Sequence, residues 1–348
     1  MEKILTIIIP TYNMEKFLDK CLTSLIIDDK ELMKKLEVLV IIDGAKDRSS
    51  EIAHTYQDIY PDTYVVIDKE NGNYGSCINR GLKEATGKYV KVLDADDCFD
   101  TVSFQSYLRI LNYTDADLIL SDFDYVYEDG TIIGKRRRML PKTRIMPFSD
   151  VVQNFNTDLI SMHELAYKTS NIKDLGYVQT EGISYTDLEW CFMPMLKVNS
   201  VYFFDKVLYK YLIGREGQTI SPEVAAKNIS HKILSGLEMV KSYSQVGYLE
   251  PEKDSYLRNR LEWSLGAIYE IMLVSVPTCM DIKKLMEYDD AIKNMSSSIY
   301  QLLGKKNIHP YIKFKYIESF RNSHSRNMSI KFWSMLIHII VKIKRHEQ

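Results

Sequence analysis

Three carboxylates stand close together where a short apolar segment ends: Asp94, Asp96 and Asp97. Residues 89–93 before them are mostly β-formers, which is typical of a central strand covered on both faces. Because side chains alternate along an extended segment, Asp94 and Asp96 point the same way. The pair could therefore face one divalent cation or one phosphate-bearing ligand. Alternatively, Asp97 or Asp100 only caps the helix that the spacing of the following residues predicts.

Strand and helix patterns alternate through the part of the chain that must position these acids. Apolar runs predict strands over residues 5–9, 38–42, 64–67 and 89–93, with helices between them. This alternation indicates a parallel sheet covered by helices on both faces. Ligands bind such sheets at the carboxyl ends of the strands. Those ends carry residues 11–13, 43–44, 68–75 and 94–97, so polar and acidic groups gather at one sheet edge.

Length and composition limit the classes of protein that fit. The 348 residues suffice for one large domain plus a second domain or an extension, and 45% hydrophobic content is a globular value. A net charge of −2 gives no reason to expect a nucleic-acid partner. The five cysteines lack C-x-x-C spacing, which indicates reduced, buried thiols. Without a basic leader or an apolar run of about 18–20 residues, we expect a cytoplasmic protein.

The loop after the first strand is unlike two common nucleotide sites. A dinucleotide-binding enzyme would have G-x-G-x-x-G there, and a P-loop enzyme G-x-x-x-x-G-K-[ST]. The chain instead has Pro10-Thr11-Tyr12-Asn13. A diphosphate held without a glycine-rich cradle can be neutralised by a divalent cation on a carboxylate. Asp94 and Asp96 supply what that arrangement needs.

Taken in order, these segments resemble family 2 of the inverting glycosyltransferases, which have the nucleotide-sugar-binding GT-A fold. The matching segments are residues 6–13, 38–47, 71–87 and 89–97, and residues 182–190 and 211–221 look like acceptor-side motifs. The resemblance covers roughly residues 1–220. It implies an α/β GT-A domain over residues 1–220, a Rossmann-like and mostly parallel sheet flanked by helices. Residues 221–348 would form a helical C-terminal region, associating with a membrane or a partner.

The resemblance also implies roles for individual residues on the donor side. Positions bordering the nucleotide or lining the donor cleft would be Thr11, Tyr12, Asp43, Asn71, Gly75 and Asn79. Gly75 would allow the backbone to approach the donor closely. Asp94-Ala95-Asp96 would be the D-x-D motif, with Asp94 and Asp96 contacting the ribose and a bound Mn²⁺ or Mg²⁺. The cation would stabilise the leaving diphosphate as a Lewis acid.

Asp187 matches the carboxylate that the family uses as catalytic base, and Glu189 is the second choice. Inversion needs such a base opposite the leaving group, and general-base help contributes typically ~10²–10⁴-fold. Apolar and aromatic neighbours such as Leu188 and Trp190 would raise a carboxylate pKa toward a useful range. The alternative is that Asp187 caps a helix.

Three further features have both a functional and a structural interpretation. Arg215 and Gln218 lie in a segment that could close over a diphosphate, or simply form a surface loop. His163-Glu164 lies where the family often contacts acceptor, although a lone histidine is more often structural. The basic run 135–138 is by default a solvated hairpin loop; the alternative is a contact to an acceptor phosphate or a lipid headgroup.

The last third of the chain loses its strand signals and shows apolar residues at helical spacing. There Tyr256, Trp263 and Tyr269 are predicted core positions. Ser329 to Arg345 predicts a helix with a broad apolar face and one polar stripe, which comprises Lys331, Ser334, His338, Lys342 and Arg345. Its basic flanks suit a helix lying in an anionic membrane surface. A helix packed on its own domain or in a homodimer interface fits the pattern equally.

The hypothesis from sequence is a metal-dependent inverting glycosyltransferase, transferring a hexosyl or N-acetylhexosaminyl group from a UDP-sugar. The acceptor would be a glycan or a lipid-linked glycan in cell-surface polysaccharide synthesis, at the inner face of the membrane. One alternative is a non-catalytic nucleotide-sugar-binding subunit of an assembly complex. Another is a nucleotidyltransferase, against which the missing glycine-rich loop after the first strand argues.

Overall fold

The computed structural model of the protein describes residues 2–153, 155, 158–215, 222–276, 281–306, 315–324, 335, 338–341 and 343. The chain divides into two compact units, Met1–Glu216 and Gly217–Gln348. Cys21, Cys77, Cys98 and Cys191 are buried, as predicted, and Cys279 lies outside the described residues.

The first unit is built on a ten-stranded mixed sheet. Its strands are β1 Leu5–Thr11, β2 Leu36–Asp43, β3 Tyr64–Lys69, β4 Tyr89–Val92, β5 Cys98–Phe99, β6 Leu118–Val126, β7 Ile132–Arg136, β8 Ile145–Pro147, β9 Leu165–Lys168 and β10 Ser200–Leu212. The order is β3-β2-β1-β4-β9-β6-β10-β5, with β7 on β6 and β8 on β10. The four strands predicted from the alternating pattern pair in parallel. Strand β9 runs antiparallel to both of its neighbours, β4 and β6.

Helices cover this sheet because their apolar faces have to be buried. They are α1 Leu18–Thr23, α2 Lys30–Lys34, α3 Ser49–Ile59, α4 Asn73–Glu84, α5 Thr101–Leu111, α6 Phe148–Val152, α7 Thr169–Leu175 and α8 Asp187–Trp190, with 3₁₀ turns at Met162–Glu164 and Pro194–Lys197. Every residue of β2 is buried, as expected for a strand covered on both faces. Asp100 caps α5 by accepting a hydrogen bond from the Ser103 amide at 3.0 Å, so it is Asp100, and not Asp97, that caps this helix.

The second unit is helical. Its helices are α9 Pro222–Lys227, α10 Ile229–Ser244, α11 Pro251–Glu270, α12 Ile282–Met295, α13 Ser297–Lys306 and α14 Tyr316–His324, and a π-helical turn at Ile271–Ser275 follows α11. Tyr256 and Tyr269 are buried as predicted, but Trp263 is 58% exposed and its predicted core position is wrong. Most of the predicted helix Ser329 to Arg345 lies outside the described residues. Among the helices that are described, none combines the length and apolar character needed to span a bilayer.

Candidate functional site

The carboxyl ends of β1, β2 and β4 meet at one edge of the sheet. The parallel register sets Thr11 beside Ile42 and Ile8 beside Val92. The residues that follow β4 therefore emerge beside those that follow β1 and β2. Three separate chain segments thus bring their polar residues to one place, as the strand pattern predicted.

Asp94 lies at this sheet edge and is hydrogen-bonded to two tyrosines. Its Oδ1 accepts a hydrogen bond of 2.9 Å from the Tyr74 hydroxyl, and its amide donates to the Tyr209 hydroxyl at 3.2 Å. Burial raises the pKa of Asp94 to about 7, and the nearby charges of Asp96 and Asp187 add to this effect. A carboxyl with such a pKa gains from a cation, because the cation favours its charged form. Tyr74 and Tyr209 are site residues that the sequence analysis missed.

Asp97, the third acid of the turn, is hydrogen-bonded to strand β10. Its Oδ2 accepts from the Tyr209 hydroxyl at 2.6 Å, and its Oδ1 accepts from the Leu212 amide at 2.7 Å. Burial first, and the charges of Asp96 and Asp94 after it, raise the pKa of Asp97 well above its ordinary value. Since both oxygens are bonded to β10, Asp97 ties the acidic turn to that strand.

Asp96 forms an ion pair with Arg215, whose Nε donates to Asp96 Oδ2. Arg215 lies just after β10, and Gln218 lies outside the described residues. Through this pair, the positively charged Arg215 guanidinium reaches the acidic turn from a distant part of the chain. It also occupies a carboxylate that was expected to contact the metal.

The end of β2 is organised around Asp43. The buried Asp43 Oδ1 accepts from Lys69 Nζ at 2.6 Å and from the Gly72 amide at 2.9 Å. The Asn71 side chain donates to the Asp43 carbonyl at 2.9 Å. These contacts hold the loop that connects β3 with α4. Thr11 is buried, whereas Tyr12 beside it is 44% exposed.

Gly75 and Asn79 on α4 face protein and support the segment around residue 180. A Cβ on Gly75 would lie 2.0 Å from the Thr180 carbonyl oxygen, so the close approach there is made by protein backbone. The Asn79 side chain donates to the Gln179 carbonyl and to the Glu181 carboxylate, both at 2.8 Å, and it accepts from the Gln179 amide. Their expected place along a donor cleft stays a prediction.

Asp187 is the first residue of the short helix α8, and the N-cap position belongs to Thr186. The alternative that Asp187 caps this helix is therefore wrong. The Asp187 charge contributes to the raised pKa of Asp94 and of Tyr74, so the fold brings this acid to the acidic turn. Glu189, the second choice as base, is buried and accepts from the Thr180 amide at 2.8 Å. Glu189 thus supports the backbone of this segment.

His163 adds a nitrogen donor to the site. Its ring stacks on Tyr211 at 4.1 Å, and Nδ1 lies 2.7 Å from the Ser161 hydroxyl oxygen. Burial, helped by the charge of Lys91, lowers the pKa of His163 to about 3, so the imidazole is neutral. Within the described part of the chain, Asp94, Asp97 and His163 offer ligand atoms within 4.8 Å of one another. The carboxylate oxygens of this group are the donors that suit Mg²⁺ and Mn²⁺.

Lys91 lies beneath this histidine, fully buried in β4. Its Nζ donates to the carbonyls of His163 and Leu165 at 2.9 and 3.0 Å. Burial lowers the pKa of Lys91 to about 7. Lys91 therefore holds the backbone of the His163 segment. A single lysine in an apolar strand could have indicated such a contact, because a buried charge without a partner is costly.

The basic run 135–138 is largely paired with acids. Arg138 is 4% exposed, and its guanidinium donates to both carboxylate oxygens of Glu164 at 2.6 and 3.0 Å. Arg137 lies 2.5 Å from the buried Asp124. Arg138 is therefore buried and paired, and the default prediction of a solvated loop is wrong for it. Its partner Glu164 lies 26 positions away, so the local sequence does not show the pairing. Lys135 is exposed.

Comparison with known proteins decides the family. The profile of glycosyl transferase family 2 matches residues 6–176. MG060 of Mycoplasma genitalium, an uncharacterized glycosyltransferase, is 40% identical over 229 residues, covering 62% of this chain and 72% of the relative. The chain belongs to glycosyltransferase family 2. The minor teichoic acid biosynthesis protein GgaB of Bacillus subtilis is 33% identical over 110 residues, which cover 32% of this chain and 12% of that protein.

Solved structures show the same fold for this family 2 glycosyltransferase. S. aureus TarS 1–349 in complex with UDP is 19% identical, with a TM-score of 0.61, covering 93% of this chain and 92% of that one. Its complex with UDP-GlcNAc has a TM-score of 0.56, covering 88% and 95% at 19% identity. The predicted α/β GT-A fold with a helical C-terminal region is confirmed.

Proposed function

We propose that this family 2 enzyme is an inverting, metal-dependent glycosyltransferase that uses a UDP-sugar. The observation that carries the proposal is the cluster beyond the carboxyl end of β4, where ligand atoms of Asp94, Asp97 and His163 lie within 4.8 Å of one another and Asp96 pairs with Arg215. Carboxylates crowded in this way need a cation or a proton to be stable. The UDP and UDP-GlcNAc complexes of TarS support the choice of donor.

Asp94 and Asp96 would hold the cation, with Asp97 and His163 as neighbouring donors. A bound Mn²⁺ or Mg²⁺ would neutralise charge on the leaving diphosphate. Tyr74 orients Asp94 through its hydrogen bond, and Arg215 brings a positive charge to Asp96. Asp97 keeps the turn on β10 while these groups act. Thr11, Tyr12, Asp43 and Asn71 border the same strand ends, where we place the base and ribose.

Asp187 would act as the base that takes the proton of the acceptor hydroxyl. The network of Asn79, Gln179, Thr186 and Glu189 holds its segment against α4. These bonds favour one position of the segment, and a base held in the right geometry lowers the barrier to proton transfer. The acceptor class we propose is a glycan or lipid-linked glycan of the cell surface, and the likeness to the teichoic acid protein GgaB supports it.

Release of UDP from a panel of UDP-sugars, with Mn²⁺ and a glycan acceptor, tests the proposal. Asp94→Asn should lose turnover and metal-dependent UDP binding, whereas Asp187→Asn should lose turnover and keep UDP binding. Asp58→Asn, an exposed acid at the end of α3, is the matched control and should retain both. UDP binding with no turnover for any donor would favour the non-catalytic binding subunit. No binding of any nucleotide sugar would overturn both.

A further inference from the structure

One acid of the turn after β4 stands apart from the group that could hold a cation. Among the described residues, that group consists of Asp94, Asp97 and His163, whose ligand atoms lie within 4.8 Å of one another, and it does not include Asp96. The sequence predicts instead that Asp94 and Asp96 face one cation together, because side chains alternate along an extended segment. The Asp96 carboxylate is paired with Arg215. The structure therefore shows the expected metal ligand engaged by a guanidinium.

The Arg215 guanidinium lies beside two chain segments of the site. Its Nε donates to Asp96 Oδ2 in the turn after β4, and its Cζ lies 5.9 Å from the centre of the Phe17 ring. Phe17 follows β1 and directly precedes α1. The pair is partly buried, with 22% of the Arg215 side chain and 11% of the Asp96 side chain exposed. Salt screens a partly buried pair less than an exposed one, so this pair holds Asp96 more firmly than a surface contact would.

The charge of Arg215 acts on the same acids that a divalent cation would stabilise. Burial and the Asp96 charge raise the pKa of Asp94, whereas the Tyr74 hydrogen bond and the Arg215 charge lower it. A bound cation would also favour the charged carboxylates. Arg215 and a divalent cation therefore stabilise these acids in the same way, and their positive charges repel each other.

We propose that Arg215 competes with the divalent cation for Asp96, and that a diphosphate ends the competition by taking up the guanidinium. A guanidinium can bind phosphate oxygens through two parallel N–H donors, which suits the diphosphate of a nucleotide sugar. Asp96 can then join Asp94 on the cation. Arg215 thus acts as a positioning residue that makes the cation and the nucleotide bind together. This inference rests on the proposed function, because it concerns the same site.

Titration of Mn²⁺ into the full chain, followed by the electron paramagnetic resonance signal of free Mn²⁺, tests the competition without any turnover. Without nucleotide, Arg215→Met should bind Mn²⁺ at least about fivefold more tightly than the wild type, because apparent affinity falls with the fraction of molecules in which Asp96 is occupied. At saturating Mn²⁺, the same variant should bind UDP at least about fivefold more weakly, because the diphosphate loses a charged donor. A loss of structure would weaken both.

Three further variants serve as controls. Arg215→Lys keeps the positive charge and should bind Mn²⁺ like the wild type. Arg109→Met breaks another Arg–Asp pair of the first unit, with Asp29 at 3.1 Å, and should change neither affinity. In an Asp96→Asn background, Arg215→Met should no longer tighten Mn²⁺ binding, because the carboxylate for which the two cations compete is gone.

The competition is refuted if Arg215→Met binds Mn²⁺ no more tightly than the wild type, or tightens it equally in the Asp96→Asn background. It is also refuted if UDP does not raise the Mn²⁺ affinity of the wild type. Unchanged UDP binding by Arg215→Met would overturn the transfer of the guanidinium to the diphosphate. A wild type that binds no Mn²⁺ even with UDP would overturn both the competition and the proposed metal dependence. The expected affinities in a chain without turnover would support the competition and contradict only the transferase activity.

Discussion

The Tyr74 hydroxyl donates a hydrogen bond of 2.9 Å to Asp94 Oδ1, joining the start of α4 to the acid that follows β4. The two residues are twenty positions apart, and the Asp187 charge acts on both. This bond lowers the pKa of Asp94, whereas burial and the other acids raise it. Tyr74 is therefore a positioning residue for the candidate donor site.

Tyr74→Phe should weaken UDP binding in the presence of Mn²⁺ by about tenfold, since a hydrogen bond to a charged group contributes about 1.5–3 kcal/mol. Calorimetric titration of UDP with and without Mn²⁺ measures this. Tyr113→Phe removes a hydroxyl from a side chain that is 87% exposed and should change nothing. Unchanged UDP binding by Tyr74→Phe, together with its loss in Asp94→Asn, would contradict the positioning role.

Substitution of Asp97 should lower stability, whereas substitution of Asp94 should remove UDP binding. Asp97→Ala leaves the Leu212 amide and the Tyr209 hydroxyl without their acceptor, which should lower the free energy of unfolding by about 2–4 kcal/mol. Asp94→Asn removes a carboxyl whose pKa is raised by burial, so stability at neutral pH should be kept or increased while UDP binding is lost. Urea unfolding and UDP titration of both variants check this. Equal destabilisation by the two changes would show that the assignment is wrong.

Gly75→Ala should disturb the segment that holds Asp187. The added Cβ would lie 2.0 Å from the Thr180 carbonyl oxygen, so α4 and that segment must move apart. We expect destabilisation by about 1–3 kcal/mol and a fall in kcat. Gly247→Ala is the control, because a Cβ there meets nothing within 4 Å. Thermal unfolding and UDP release measure the two effects, and a Gly75→Ala variant identical to Gly247→Ala would refute the contact.

Lys91 should make stability depend on pH in the alkaline range. Its pKa is about 7 in the folded chain and 10.5 ordinarily, so between these values the unfolded chain binds more protons. Stability should then rise with pH by up to about 1.4 kcal/mol per unit for this one group. The difference in unfolding free energy between wild type and Lys91→Met, measured by urea at several pH values above 7, should show this slope. A constant difference would mean that Lys91 stays charged when folded.

Local patterns predicted much of this fold. The strand ends at Thr11, Asp43 and Val92 follow from runs of apolar residues, and the register brings them together as expected. The same patterns assigned Trp263 to the core, although it is exposed. Helical spacing identifies a face but not what covers it, since that depends on the arrangement of neighbouring helices.

The sequence alone predicted the class of fold and the sheet edge where Asp94 and Asp96 lie, because periodicity and short motifs are local properties. Only the tertiary structure decided which partner each acid of the turn has. Asp97 is hydrogen-bonded to β10, more than a hundred positions away, and Asp96 is paired with Arg215. Asp94 accepts a hydrogen bond from Tyr74. Partners so distant in sequence come together only when the sheet forms, and burial in that sheet then sets the pKa of each acid.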